Sequence, residues 1–232
     1  MNQEQGTLNP AVGIIICGIG GRMGGAVVRA LRDGSGARLV AAIDKRGSER
    51  VGKDAGEISG TGKLNVAVSD DIAPHLQSGR VIIDFSNPEA SLGYLRAAAE
   101  RQTPVVIGTT GFTPEQLAEM KALADKTPVL FSANMSLGVN LLVTLLGKVA
   151  EKLGDEYDVE IIEAHHRFKK DAPSGTALAM ARAIARGLRR DLDEVGINGR
   201  KGIVGERSRK EIALLSVRAG DIAGEHTVIF GG

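Results

Sequence analysis

The stretch Val12-Gly13-Ile14-Ile15-Ile16-Cys17-Gly18-Ile19-Gly20-Gly21-Arg22-Met23-Gly24 decides how the first half of the chain is read. Val12 to Cys17 is a short apolar run, rich in β-branched residues, and reads as a buried strand ending at Gly18. From Met23 to Leu31 the apolar residues Met23, Ala26, Val27, Ala30 and Leu31 recur at helical spacing. A glycine loop between a strand and a helix permits a tight turn and lets backbone N–H groups approach a pyrophosphate at the helix N-terminus. The commonest spacing of such loops puts the third glycine where Met23 stands; the spacing that fits is Gly18, Gly21 and Gly24. A packing turn has the same look, so the context decides. A second strand, Leu39 to Ile43, ends on Asp44, the place of a carboxylate that holds an adenosine ribose. Lys45 and Arg46 follow. A carboxylate favours the free 2′-hydroxyl of NAD, whereas cations favour the 2′-phosphate of NADP. The residues do not choose, so NADH and NADPH both stand as cofactors.

The same rhythm continues. Val81 to Phe85 reads as a strand, Pro88 to Arg101 as a helix, and Val105 to Ile107 as a strand. The turn Gly108-Thr109-Thr110-Gly111 leads to a helix from Pro114 to about Lys126, then a strand from Val129 to Phe131. Short apolar strands alternating with amphipathic helices build βαβ units and a doubly wound parallel sheet. Ligands of such sheets bind outside the carboxyl ends of the strands. Gly108, Thr109 and Thr110, with Ser132, Ala133, Asn134 and Met135, therefore stand ready to line a nicotinamide site through backbone groups. Ordinary turn chemistry would use the same residues. After about Asn134 the pattern changes to a long helix, Leu137 to Leu153, a strand from Tyr157, and strands over Ile212 to Arg218 and Glu225 to Phe230. The polar, charged segment Gly187 to Lys210 reads as a surface loop. The expected fold class is α/β: a dinucleotide-binding domain over residues 1–135 and a smaller α+β domain over 136–232.

Composition narrows the function. The 232 residues are 43% hydrophobic and 25% charged, with a net charge of +1, which argues against disorder and against a generally basic nucleic-acid binder. With no Trp, two Tyr and five Phe, a stacking platform for bases is not expected. Cys17 is the one cysteine, so no intramolecular disulfide forms and a reducing, cytoplasmic setting is the simplest reading. Met1 to Pro10 is polar and lacks a signal-peptide core. No charge occurs between Lys126 and Lys148, but Pro128, Ser132, Asn134, Ser136 and Asn140 interrupt the stretch, so no membrane span is expected.

The densest chemistry is Glu163-Ala164-His165-His166-Arg167-Phe168-Lys169-Lys170-Asp171-Ala172-Pro173-Ser174-Gly175-Thr176. Two of the chain's four histidines are adjacent here, beside a run of cations. Ser174-Gly175-Thr176 after Pro173 looks like a helix start, and Leu178, Ala181, Ile184, Ala185 and Leu188 give that helix an apolar face. The amides of Gly175 and Thr176 at a positive helix end suit an anion. Lys169 and Arg167 or His166 supply opposing charge, so the stretch reads as a carboxylate clamp. His165 and His166 end a strand; if both stay extended they point to opposite faces and do different work. A histidine of ordinary pKa, about 6.5, gives or takes a proton near neutral pH. Adjacent histidines lack chelating spacing, and Cys17 lies in another element, so no metal is expected.

Residues 163–177, EAHHRFKKDAPSGTA, resemble the signature of the 4-hydroxy-tetrahydrodipicolinate (dihydrodipicolinate) reductase family. GxxGRMG at 18–24, GTTGF at 108–112, SANMSLGVN at 132–140 and VRAGDIAGEHTV at 217–228 resemble further segments of it, in family order. The resemblance implies a Rossmann-type domain with a second domain that binds substrate and builds a homotetramer. It implies reduction of an imine-containing cyclic dicarboxylate in the diaminopimelate and lysine pathway. It places Gly18, Ile19, Gly20, Gly21, Arg22, Met23, Asp44, Lys45, Gly108 to Thr110 and Ser132 to Met135 at NAD(P)H. It makes His165 the proton donor or acceptor and Lys169 a second donor facing substrate. His166, Ser174, Gly175 and Thr176 would hold the dicarboxylate. The family's chains continue for some tens of residues beyond the GEHT strand, through a last strand and a helix, so a chain ending at Gly232 is expected to be less stable than one with that tail, and the homotetramer is expected where the fold is complete. Two rivals stand beside this reading: another two-domain NAD(P) oxidoreductase, which the fold alone allows, and a catalytically inactive NAD(P)-binding protein.

Overall fold

The structure is a computed structural model that describes residues 11–31 and 36–232; the polar segment Met1 to Pro10 lies outside them. The chain divides into two compact units, Met1–Ser132 and Ala133–Gly232.

The first unit runs through β1 (Val12–Cys17), α1 (Arg22–Leu31), β2 (Ala37–Ile43), α2 (Ala55–Ile58), β3 (Val68–Ser69), β4 (Arg80–Asp84), α3 (Pro88–Glu100), β5 (Val105–Ile107), α4 (Pro114–Ala124) and β6 (Val129–Phe131). Its strands form one sheet in the order β3-β2-β1-β4-β5-β6, with every neighbouring pair parallel. This is the doubly wound order, whose winding reverses between β1 and β4. Ile14 and Ile16 pack with Val28 of α1, whereas Ile15 and Cys17 pack with Leu92 and Leu95 of α3. Burial on both faces explains why β1 reads as a continuous apolar run rather than an alternating one. The helix starts were legible because their caps are local: Asn87 caps α3 before Pro88, and Thr113 with Gln116 forms a capping box at α4. α2 and β3 are too short to show a hydrophobic period. Asp54 caps α2 and also accepts from the N–H groups of Leu64 and Val66, so one carboxylate gathers that loop.

Cys17 is fully buried, and burial, helped by the nearby Asp84 charge, pushes its thiol well above the ordinary cysteine value. We expect no reaction with an aromatic disulfide reagent in native buffer and full titration of this thiol in denaturant. Native-state labelling at the rate of a free thiol would contradict this placement.

The second unit contains α5 (Leu137–Leu153), β7 (Asp158–His165), α6 (Gly175–Gly187), α7 (Leu192–Val195), β8 (Gly196–Asn198), β9 (Ile212–Arg218) and β10 (Glu225–Gly231). The sheet order is β10-β7-β9-β8. β10 runs antiparallel to β7, and the other pairs are parallel. Along β7, Val159, Ile161 and Glu163 are buried while Asp158 and Ile162 are exposed, as a strand with one covered face requires. The buried side packs on Ala177, Ala181 and Ile184 of α6.

Two sequence expectations are corrected. The segment Gly187 to Lys210 is not simply a loop, since it holds α7 and β8. A single helical turn and a three-residue strand are too short to show a period; pairing with β9 makes β8 a strand. The rest of that segment is tied back to Glu160 of β7, at 2.8 Å from Arg200 and 3.0 Å from Arg207. The strand expected to carry both His165 and His166 stops at His165. His166 instead enters a turn in which its carbonyl accepts from the Lys169 N–H at 3.1 Å. The uncharged stretch between Lys126 and Lys148 is shared by β6 and α5, and among the described residues no helix is long and apolar enough to cross a membrane.

Candidate active site

In the first unit the glycine loop joins β1 to α1. Gly18 has φ +81°, and an added Cβ would lie 2.6 Å from the Phe85 carbonyl oxygen at the end of β4. At Gly24 an added Cβ would strike the Gly18 carbonyl and approach the Ile19 Cα to 2.8 Å. These two glycines let strand, loop and helix backbones close on one another, as a phosphate-binding turn requires. Gly21, Arg22 and Met23 are exposed at the start of α1. Gly20 is exposed too, and an added Cβ there would meet the Arg50 guanidinium at 2.7 Å. Ile19 is almost wholly buried, so it offers a ligand its backbone and not its side chain.

Asp44 sits at the end of β2, where its carboxylate accepts from the Lys45 N–H at 2.9 Å and the Ser48 hydroxyl at 2.8 Å. Arg50 stands 3.4 Å from the same carboxylate. Lys45, Ser48, Arg50 and Lys53 line an open cavity of about 560 Å³ beside it. Arg46 turns away to an exposed contact with Asp70. Thr109 is buried and its hydroxyl is already engaged, accepting from the Ser86 N–H at 3.0 Å and facing Asp84 at 3.2 Å. Asp84, buried at the end of β4, also takes the hydroxyls of Ser86 and Ser91. Burial raises its carboxyl above the usual range, against the pull of those hydrogen bonds. Thr109 therefore offers a ligand its backbone rather than its hydroxyl. The Ser132 N–H is taken by the Ile107 carbonyl at 3.1 Å. The cradle at Gly18 and Gly24, with a carboxylate fixed at the end of β2, fits a dinucleotide.

The second unit gathers the other cluster. Ser174 caps α6 by accepting the Ala177 N–H at 3.1 Å, and its own N–H goes to Glu163 at 3.1 Å. Of the N–H groups that a helix start leaves open, those of Gly175 and Thr176 remain for a ligand. The Asn134 amide donates to the Thr176 hydroxyl at 3.0 Å, which sets the loop carrying Ala133 to Met135 beside that helix start. The Lys169 ammonium contacts both oxygens of Asp171 at 2.9 Å and is about one-fifth exposed. His166 Nδ1 is buried with no hydrogen-bond partner, a state that a ligand's polar group would relieve.

Glu163, Arg218 and His226 complete the cluster, and the sequence reading gave them no role. The buried Glu163 carboxylate contacts His165 Nδ1 at 2.5 Å and accepts a fork from Arg218 at 2.7 and 2.8 Å. Burial works to raise its carboxyl, but hydrogen bonds from Arg218, Ser216 and His165 win and hold it at about 2. The His226 ring stands edge-on to that of His165 at 5.2 Å, with Nε2 3.0 Å from the Ser174 hydroxyl. Burial, and then the charge of His165, lowers His226 below the ordinary histidine value. One signal was available for Glu163: residues two apart on a strand share a face. The partners from β9 and β10 depend on tertiary register.

A doubly wound sheet with a dinucleotide cradle, carried with a second unit that gathers histidines, a lysine and an open helix start, defines an NAD(P)H-dependent oxidoreductase. Residues 12–135 match the family described as dihydrodipicolinate reductase, N-terminus, and residues 138–232 match dihydrodipicolinate reductase, C-terminus. The chain belongs to the dihydrodipicolinate reductase family. It is 49% identical over 217 residues to the 4-hydroxy-tetrahydrodipicolinate reductase of Syntrophus aciditrophicus, covering 94% of this chain and 81% of the relative. It is 51% identical to the Hahella chejuensis protein of the same name, with the same coverage. Among solved structures, dipicolinate-bound dihydrodipicolinate reductase from Paenisporosarcina sp. TG-14 superposes with a TM-score of 0.64 at 26% identity, over 95% of this chain and 83% of that one.

Proposed function

We infer that the protein reduces 4-hydroxy-tetrahydrodipicolinate to tetrahydrodipicolinate with NADH or NADPH, in diaminopimelate and lysine biosynthesis. The observation that carries this reading is the meeting of His165, Lys169 and the α6 start in a chain about half identical to reductases of that name. NADH or NADPH, when bound, supplies the hydride. Gly18 to Met23, Asp44, Lys45, Gly108 to Thr110 and Ser132 to Met135 would hold that cofactor, Ile19 and Thr109 through backbone alone. The N–H groups of Gly175 and Thr176 bind one substrate carboxylate at the positive end of α6. Lys169 neutralises the second, exchanging its Asp171 contact for the substrate, and His166 adds a polar contact. His165 delivers a proton as negative charge develops on the substrate.

We place the enzyme in the cytoplasm, where its free thiol is stable, and assemble it as a homotetramer through the second unit. Ile162, Val217 and Ile229 support the latter, being exposed on the face of the second sheet turned from α6. Light scattering reads the assembly directly; a monomer at micromolar concentration would sink it.

The test of the reaction is loss of reduced-nicotinamide absorbance with substrate made in place by the upstream synthase from pyruvate and aspartate semialdehyde. Oxidation that requires the synthase and both its substrates supports the reading; none from a folded, cofactor-binding chain would overturn it.

Cofactor choice rests on the β2 end. Arg50 pairs with Asp44 and can turn to a 2′-phosphate. Arg50→Ala is expected to weaken NADPH binding about tenfold, the worth of one charge-assisted contact, and to change NADH binding much less. Fluorescence titration with each nucleotide measures it; equal losses for both would deny Arg50 that role.

A further inference from the structure

The buried carboxylate behind His165 has no part in the mechanism so far. Along β7, Glu163 and His165 are two apart and share the face that packs on α6. The sheet register sets His226 of β10 opposite Glu163, and Arg218 of β9 opposite His165. Three strands thus bring their polar side chains to one place on an otherwise apolar face.

We propose that Glu163 is the positioning residue of His165: it holds Nδ1–H as a donor to the carboxylate, so that the imidazolium gives its Nε2 proton to the substrate, is left as the neutral Nδ1–H ring, and regains the Nε2 proton from water after product leaves. The geometry supports each part. Glu163 Oε2 lies 2.5 Å from Nδ1, and the Arg218 fork together with the Ser174 N–H keeps the carboxylate ionised. An ionised carboxylate only accepts, so Nδ1 must donate. The opposite ring atom is left clear. An added Cβ at Gly224 would lie 3.0 Å from Nε2, so glycine at 224 keeps that atom uncovered. His226 flanks the ring but spends its own Nε2 on the Ser174 hydroxyl. Arg218 also donates to the Asp171 carbonyl at 2.6 Å, which joins the Glu163 anchor to the loop that carries Lys169.

The proposal rests on His165 being the proton group, and the test separates the two. Nitrogen NMR of the histidine-labelled wild-type protein is expected to show neutral His165 protonated on Nδ1. Glu163→Gln, whose amide can donate to Nδ1, is expected to shift that proton to Nε2 and to lower kcat about ten- to a hundredfold, with KM for the dicarboxylate nearly unchanged. A merely structural role for Glu163 would not move the tautomer. A neutral ring protonated on Nε2 instead of Nδ1 in the wild type would overturn the proposal without any variant, and so would full kcat in Glu163→Gln. Full activity in His165→Gln would instead remove the assignment on which it rests.

Discussion

Replacing His165 by Gln lowers kcat by about two to four orders of magnitude, the range that a positioned acid–base group supplies, while KM for the dicarboxylate changes only a few-fold. Glutamine keeps the size of the side chain and a polar tip but cannot deliver a proton. The α6 start and Lys169 are untouched, so ground-state binding survives. Lys169→Ala behaves differently, because the ammonium serves both binding and reaction. Its loss removes a charge-assisted contact worth about 1.5 to 3 kcal/mol, which raises KM about ten- to a hundredfold, and it lowers kcat as well. Steady-state kinetics with substrate generated in place separates the two signatures. Nucleotide binding, measured by fluorescence, should be unchanged in both variants, because the glycine cradle and Asp44 belong to the first unit. A double variant with full turnover would end the assignment of both residues.

The parts legible in the sequence are those encoded over a few neighbouring residues. The run from Val12 to Gly24 shows a strand, a tight turn and a helix start because burial on both faces, a positive φ at Gly18 and the close backbone approach at Gly24 each demand a particular residue in place. The Thr113–Gln116 capping box and Ser174 before Gly175 are local in the same way. Asp44 was legible because the next strand of a doubly wound unit ends beside the first. What stayed hidden is tertiary. β8 exists only because β9 lies next to it. Glu163 and His165 are neighbours on one strand, but Arg218 lies 55 residues from Glu163 and His226 lies 52 from Ser174. No periodicity links them. Thr109 shows the converse limit: its position near the cofactor loop was legible, but the capture of its hydroxyl by Asp84 and Ser86 was not.

Arg218→Met destabilises the protein by about 3 kcal/mol at neutral pH, the lower end of the cost of stripping a buried charge of its partner. Glu163 is fully buried and Arg218 about one-fifth exposed, so the carboxylate bears most of the loss. The sign of the pH dependence follows from the same pair. The folded state holds the Glu163 carboxyl at about 2, below the ordinary 4.5. Its charge therefore stabilises the fold fully above 4.5, and that contribution fades as pH falls toward 2. Without Arg218 the carboxylate loses its main counter-charge, so the variant's deficit is largest at neutral pH and shrinks in acid, where a proton neutralises the group. Glu163→Gln in the same chain removes the unpaired charge and restores much of the stability, so the pair is non-additive in a double-mutant cycle. Urea unfolding of the four proteins at neutral and acid pH measures this. Additive losses, or a deficit that grows in acid, would mean that Arg218 does not act by compensating Glu163.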